Sequence, residues 1–174
     1  MQKGNDLIGI YVVEKESGEI IGRVEDILYS PVFSSITGIV IDNKNKFFCD
    51  VNNINKIGED IIIIKDKDKI DIIDEIYPGL GLKEDANTIM GNRVISEEGK
   101  ELGIVIDLII DEKEKRLLAY ELSGGLVDDL LNGRKVLTLD KYIKYGKDLL
   151  IVNMKRGIWW IKRNLKEAMK MKKI

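Results

Sequence analysis

Two aspartates recur in matching surroundings, Asp26 in Arg23-Val24-Glu25-Asp26-Ile27-Leu28 and Asp107 in Ile104-Val105-Ile106-Asp107-Leu108-Ile109. A carboxylate can serve as a general base or a metal ligand, but either role needs a second acid or a histidine at a helpful spacing. Neither aspartate has one, and the chain contains no histidine. That removes Ser-His and Cys-His nucleophile pairs and the commonest transition-metal ligand. Both aspartates are read instead as carboxylates capping backbone N–H groups near a turn. Cys49, the single cysteine, lies in Phe47-Phe48-Cys49-Asp50, a half-buried strand pattern whose neighbouring acid does not activate a thiolate. It is read as structural, and one cysteine allows no intrachain disulfide. Ser123-Gly124-Gly125 invites a phosphate-loop reading, but the spacing that ends in Lys followed by Ser or Thr is missing. A short helical turn is expected there, with Leu126, Leu130 and Leu131 closing one end of a barrel, Gly133 ending the turn and Arg134 paired with Asp128 or Asp129. The reading is a chain with no catalytic residue, no cofactor and no metal.

These residues sit inside an internal repeat. A shift of 81 places Gly18 on Gly99, Gly22 on Gly103, Val24 on Val105 and Asp26 on Asp107, and continues through Ile36 on Leu117 and Ile41 on Leu122. Upstream, Leu7-Ile8-Gly9 matches Ile89-Met90-Gly91 at a shift of 82. Downstream, Ile57-Gly58-Glu59-Asp60-Ile61-Ile62 matches Tyr145-Gly146-Lys147-Asp148-Leu149-Leu150 at a shift of 88. The second copy therefore gains seven residues between its third strand and its last. Order and kept spacing carry the match, since identities are few.

Each copy reads as β. In the first, Ile8–Glu14, Glu19–Tyr29, Ile36–Asp42, Lys46–Val51 and Ile61–Lys65 are rich in Ile and Val and bounded by turn residues. Glu16-Ser17-Gly18 and Glu97-Glu98-Gly99 supply hairpin turns. A copy of roughly 65 to 75 residues is near the lower limit for an independent core, and barrel closure removes unpaired edges. The expected fold is all-β: two small antiparallel barrels over 1–69 and 88–154, a linker over 70–87 with isoleucines resting on a barrel, and a C-terminal amphipathic α-helix over 155–174.

Alternation along the second strand assigns its faces. Gly22, Val24, Asp26 and Leu28 share the inner face, and Ile21, Arg23, Glu25, Ile27 and Tyr29 the outer one, because Arg23 and Glu25 are costly inside a small barrel. In the second copy Ile104 and Ile106 replace those two charges. A strand apolar on both faces points to a covered patch, against the other barrel, a second chain or the C-terminal helix.

The pattern Gly18-x-x-x-Gly22-x-Val24-x-Asp26-Ile27-Leu28 followed by Thr37-Gly38-Ile39-Val40-Ile41 resembles the PRC-barrel family, as does Gly99-x-x-x-Gly103-x-Val105-x-Asp107-Leu108-Ile109-Ile110-Asp111. Ala119-Tyr120-Glu121-Leu122-Ser123 through Gly133-Arg134-Lys135 and Gly146-Lys147-Asp148 is similar to the second barrel of bacterial tandem PRC-barrel proteins. The likeness covers nearly all of residues 7–153. It implies a small antiparallel barrel of the kind found in the cytoplasmic part of the photosynthetic reaction centre H subunit and in a ribosome maturation factor, both of which act by binding macromolecules. The first copy departs from the pattern at Ser30-Pro31, where an acid such as Asp111 usually stands, and the maturation factor's RNA-binding partner domain is missing.

Apolar residues at 44% and charged residues at 33% describe a globular chain rather than a disordered one. The net charge of −2 is unevenly spread: residues 155–174 hold eight basic side chains against Glu167, and the remainder is acidic. On a helical wheel Ile158, Ile161, Leu165, Ala168 and Met169 fall on one side, with Trp159 and Trp160 at the start and Lys162, Arg163 and Lys166 among the basic groups. Such a segment can dock on its own acidic barrels or a second copy, lie on an anionic membrane, or contact nucleic acid, in that order of preference. The polar start of the chain and the lack of a long apolar run lead to a cytoplasmic expectation, peripheral to a membrane if the tail binds lipid. The resulting expectation is a non-catalytic adaptor that binds a protein partner. The alternative is a ribosome- or RNA-associated factor that uses the basic tail. Ile104, Ile106, Gly125, Leu126 and Arg134 join the tail residues as the expected working face.

Overall fold

A computed structural model describes residues 1–30, 33–42, 46–73, 89–139, 143–146, 148–153 and 158–160. Its backbone divides into two compact units, residues 1–87 with 110–117 and residues 88–109 with 118–174.

In the first unit a two-residue strand β1 (Gln2–Lys3) and one turn of helix α1 (Gly4–Leu7) precede β2 (Tyr11–Glu14), β3 (Ile20–Ser30), β4 (Ser35–Asp42), β5 (Phe47–Asp50), β6 (Ile54–Ile57), β7 (Ile61–Ile64) and β8 (Ile70–Ile72). The strands neighbour one another in the order β6-β7-β2-β3-β4-β5-β8. The second repeat supplies β9 (Arg93–Ser96), β10 (Glu101–Asp111), β11 (Arg116–Ser123), helix α2 (Leu126–Asn132), β12 (Lys135–Thr138), β13 (Ile143–Tyr145), β14 (Leu149–Val152) and β15 (Ile158–Trp160). Their order is β13-β14-β9-β10-β11-β12-β15, the same path strand for strand.

The repeat is therefore topological as well as sequential, and the offsets agree. β3 and β4 map onto β10 and β11 at 81, and β5, β7 and β8 map onto β12, β14 and β15 at 88. The jump of seven falls between β11 and β12, where α2 is seven residues long. The insertion inferred from the spacing is this helix. Burial follows the same correspondence: Val12 and Val94, Val24 and Val105, Ile41 and Leu122, and Ile64 and Val152 are all core residues. The turn glycines Gly18 and Gly99 both sit at positive φ, 71° and 80°, a conformation that a Cβ disfavours.

Three expectations need correction. The sheets are mixed rather than antiparallel, because β2 pairs parallel with β7 and β9 parallel with β14, the chain having crossed over several strands in between. Among the described residues no pairing links β6 to β8 or β13 to β15, so the described path is open rather than a closed barrel. Ile27 is buried at 4% exposure although simple alternation turns it outward. The cause is a bulge: Val24 pairs with Ile41 and Asp26 with Val40, which leaves Glu25 as an extra residue and reverses the phase beyond it. Arg23 and Glu25, before the reversal, are exposed as expected.

Two segment assignments also change. Ile70–Ile72, read as the start of a linker, pairs with β5 as β8, and Ile73 is buried against Val40 and Phe48. Ile158–Trp160, read as the start of a helix, is β15 and pairs antiparallel with β12. The β-branched and aromatic run Ile158-Trp159-Trp160 suits an extended strand, and β12 offered it a free edge. The remainder of the expected tail helix, 161–174, lies outside the described residues. Among the described residues no helix is long and apolar enough to cross a membrane.

Candidate functional site

The repeated aspartates serve the backbone. The Ile27 N–H donates to Asp26 Oδ1 at 2.7 Å and the Leu108 N–H to Asp107 Oδ1 at 2.8 Å, so each carboxylate caps the amide that follows it. In the first copy this happens at the bulge, which is where the expected capping role is realised. Burial pushes the Asp26 carboxyl above its usual value. Among the described residues no three His, Cys, Asp or Glu side chains gather closely enough to hold a metal ion.

Cys49 is fully buried, and burial pushes its thiol up to about 12. The repeat equates it with Leu137, also buried, which makes the position a core one in both copies. In the folded chain at pH 8, iodoacetamide should alkylate Cys49 about a thousandfold more slowly than an ordinary free thiol, with normal reactivity returning on unfolding. Mass spectrometry of timed samples measures this, and rapid native labelling would contradict it.

The feature that distinguishes the copies is α2. Ser123-Gly124-Gly125 leads into it, with Gly125 at φ 98° as the N-cap. The loop's donors are already used. Ser123 Oγ donates to Asp129 Oδ2 at 2.6 Å and the Gly124 N–H to Asp129 Oδ1 at 2.8 Å. The chain's own Asp129 carboxylate thus takes these donors. A side chain at Gly124 would strike the Asp128 carboxylate. At the other end Gly133 closes the helix, its N–H donating to the Asp129 carbonyl at 2.9 Å.

Two cations immediately after the helix neutralise its acids. Lys135 Nζ donates to Asp128 Oδ2 at 3.1 Å and to the Leu102 carbonyl at 2.8 Å, and it is buried. Arg134 Nε lies 3.7 Å from Asp129 Oδ2, and its Nη1 lies 3.3 Å from Oε2 of the buried Glu121. The Asn132 amide, at 2.9 Å, and then Lys135 hold the Asp128 carboxyl below its usual value. The expected pairing of Arg134 with Asp129 is present, while Asp128 goes to Lys135.

With its polar side held inward, α2 turns its aliphatic side out. Leu126, Val127, Leu130 and Leu131 are 86%, 69%, 83% and 74% exposed. At 100° per residue they share one side of the helix, with Asp128, Asp129 and Asn132 on the other. Leu126, Leu130 and Leu131 therefore do not close a barrel end, and the correction has an electrostatic reason. Two carboxylates that find Lys135, Arg134, Ser123 and Gly124 on the body fix the helix's rotation, and the leucines follow. Surface helices ordinarily show the opposite arrangement.

The other expected positions divide. Ile104 is 41% exposed and Ile106 half-buried, as the outward assignment expects. Trp159 and Trp160 lie in β15, at the register of Val136 and Lys135. Lys162, Arg163 and Lys166 lie outside the described residues. Sequence reasoning missed Glu121, Lys135, Val127 and the anchoring role of Asp129. A wheel drawn over 126–132 separates the aliphatic and acidic sides, and the adjacent pair Arg134-Lys135 was the signal for which side faces the body.

Asp129→Ala is expected to destabilise the second unit by about 2 kcal/mol, since it removes a cap that holds a hydroxyl, a loop amide and a guanidinium. Urea denaturation of the variant against the parent chain checks this, and a change below about 0.5 kcal/mol would show that the network does not hold α2 in place.

The family model for the PRC-barrel domain matches the chain twice, over residues 1–70 and 83–157. Comparison with curated proteins finds no match.

Proposed function

Because the chain belongs to the PRC-barrel family, we propose that it is a non-catalytic adaptor, which works by binding other macromolecules and holds a protein partner close to a membrane. The observation that carries this reading is the outward aliphatic face of α2, an element with no counterpart among the described residues of the first repeat. Four large aliphatic side chains exposed on seven residues are unfavourable in water unless a counterpart covers them. The network beneath favours the same conclusion, because it keeps the acids of α2 inward and presents an uncharged surface. The two repeated bodies supply the binding scaffold, and the insertion on the second supplies the docking element.

The test is affinity isolation of the tagged chain from its own cells after chemical cross-linking, beside the Leu126→Asp/Leu130→Asp variant. Both side chains are almost fully exposed, so the variant is expected to melt within a degree or two of the parent. Proteins recovered with the parent should fall at least about tenfold with the variant, the effect of removing a central apolar anchor. Equal recovery would remove α2 as the docking element. Ribosomal proteins dominating the α2-dependent set would redirect the reading to a ribosome-associated factor.

A further inference from the structure

The second repeat contributes one piece of its sequence to the first unit. Residues 110–117, the tip of the β10–β11 hairpin, lie within the second family match at 83–157, yet they belong to the compact unit built from residues 1–87. Asp111 Oδ1 accepts from the Lys113 and Glu114 N–H groups, both at 3.1 Å, and so shapes the turn. Lys115 follows at φ 51°, and its counterpart at the shift of 81, Ser34, has φ 49°. The two turns thus share a backbone form that side chains disfavour, and they differ in the residue held there. Lys115 Nζ donates to the Ile54 carbonyl and, at 3.3 Å, to the Val51 carbonyl. Beside it the Leu117 N–H donates to the Ser34 carbonyl at 3.2 Å, and Arg116 pairs with Ser35, its own counterpart in the repeat.

The carbonyls that Lys115 meets flank the turn between β5 and β6. The contact is partly buried, and that burial, with the Lys65 charge second to it, holds the Lys115 ammonium below its usual value. Lys65 itself donates to the Asn52 carbonyl at 2.7 Å. Carbonyls withdrawn from water cost free energy when no donor meets them. At this turn the first repeat's own lysine meets Asn52, and the second repeat's lysine meets Val51 and Ile54.

We infer that the β10–β11 turn is a clasp on the first unit, with Lys115 as its latch, so that the first repeat needs the second to complete its fold. The clasp is one-sided, since Ser34 carries no cation for a reciprocal contact. The two repeats are then not independent modules, whatever α2 docks on.

Cys49, in β5 two residues before Val51, reports on the clasp. The Lys115 charge favours the Cys49 thiolate, so removing that charge would by itself slow alkylation, and faster alkylation reports opening of the first unit. In the full chain at pH 8, Lys115→Ala should raise the rate of Cys49 alkylation by iodoacetamide at least about tenfold, with the far-UV signal of a folded chain retained. Replacing residues 112–115 by Asn-Gly, a two-residue turn that keeps β10 and β11 paired, should raise it at least as much. Lys115→Arg keeps a cation able to donate to both carbonyls and should label as slowly as the parent. Lys113→Ala removes the same charge from the same turn at an exposed side chain and should leave the rate unchanged. A Lys115→Ala rate within about twofold of the parent, or equal acceleration by Lys113→Ala or by Lys115→Arg, would overturn the clasp.

Discussion

Gly38→Ala is expected to destabilise the first unit by about 3 kcal/mol, near the upper end of what one added methyl costs in a packed sheet. Gly38 lies in β4 between Leu28 and Asp50. A Cβ there would stand 2.5 and 2.7 Å from ring carbons of Phe48, and closer still to the Cys49 carbonyl oxygen. Phe48 is itself 3% exposed and held by Val40 and Ile73, so its ring has nowhere to move. The second repeat solves the same position differently: Ala119 replaces Gly38, and Val136 replaces Phe48, both buried. The large ring and the missing methyl are thus one packing decision. The double variant Gly38→Ala/Phe48→Val, which installs the second repeat's pair, should be no less stable than Gly38→Ala alone. A double-mutant cycle in urea should show a favourable coupling of at least about 1 kcal/mol. A single variant within about 0.5 kcal/mol of the parent, or strict additivity, would mean that the steric account is wrong.

The pairing of Gly38 with Phe48 illustrates what a sequence read alone conveys. The repeat itself was legible, because turn glycines and alternating Ile and Val positions are local signals that survive when identities are lost. So was the seven-residue insertion, and with it the place where the copies diverge. The phase of β3 past Glu25 was not, since a bulge adds a residue to one strand only and leaves no mark in composition. The rotation of α2 was half legible. A wheel separates the leucines from the aspartates, but which side meets the body depends on Glu121, Ser123, Arg134 and Lys135, brought together by the pairing of β11 with β12. The usual rule that apolar residues face inward gave the wrong side because the buried Lys135 and the more exposed Arg134 hold the acids against the body. β15 was hidden for a third reason. Ile158-Trp159-Trp160 shares only its first residue with Ile70-Asp71-Ile72, and only the shift of 88 carried by β5 and β7 identifies the two as one strand.

That correspondence predicts which part of the C-terminal region belongs to the fold. If everything after residue 154 were an appended helix, removing it would leave the second unit intact. With β15 in the sheet, a chain ending at residue 153 strips one edge of β12. Lys135, Val136 and Leu137 lose their strand partners, and all four residues of β12 are buried in the intact unit. Backbone hydrogen bonds over three paired residues, each of modest net value, amount to roughly 2 to 4 kcal/mol. The bared edge also becomes a template for association with another chain. A chain ending at residue 161 keeps β15 and the counterpart of the buried Ile73, and should unfold in urea at the same midpoint as the full chain. The 1–153 chain should unfold at lower urea and show concentration-dependent oligomers by light scattering. The only two tryptophans, Trp159 and Trp160, both lie in β15, so full-chain tryptophan emission reports directly on this strand. It should change in one transition with the β signal of the second unit. An emission change completed well before that transition, together with equal stability of the 1–153 and 1–161 chains, would place β15 outside the cooperative fold.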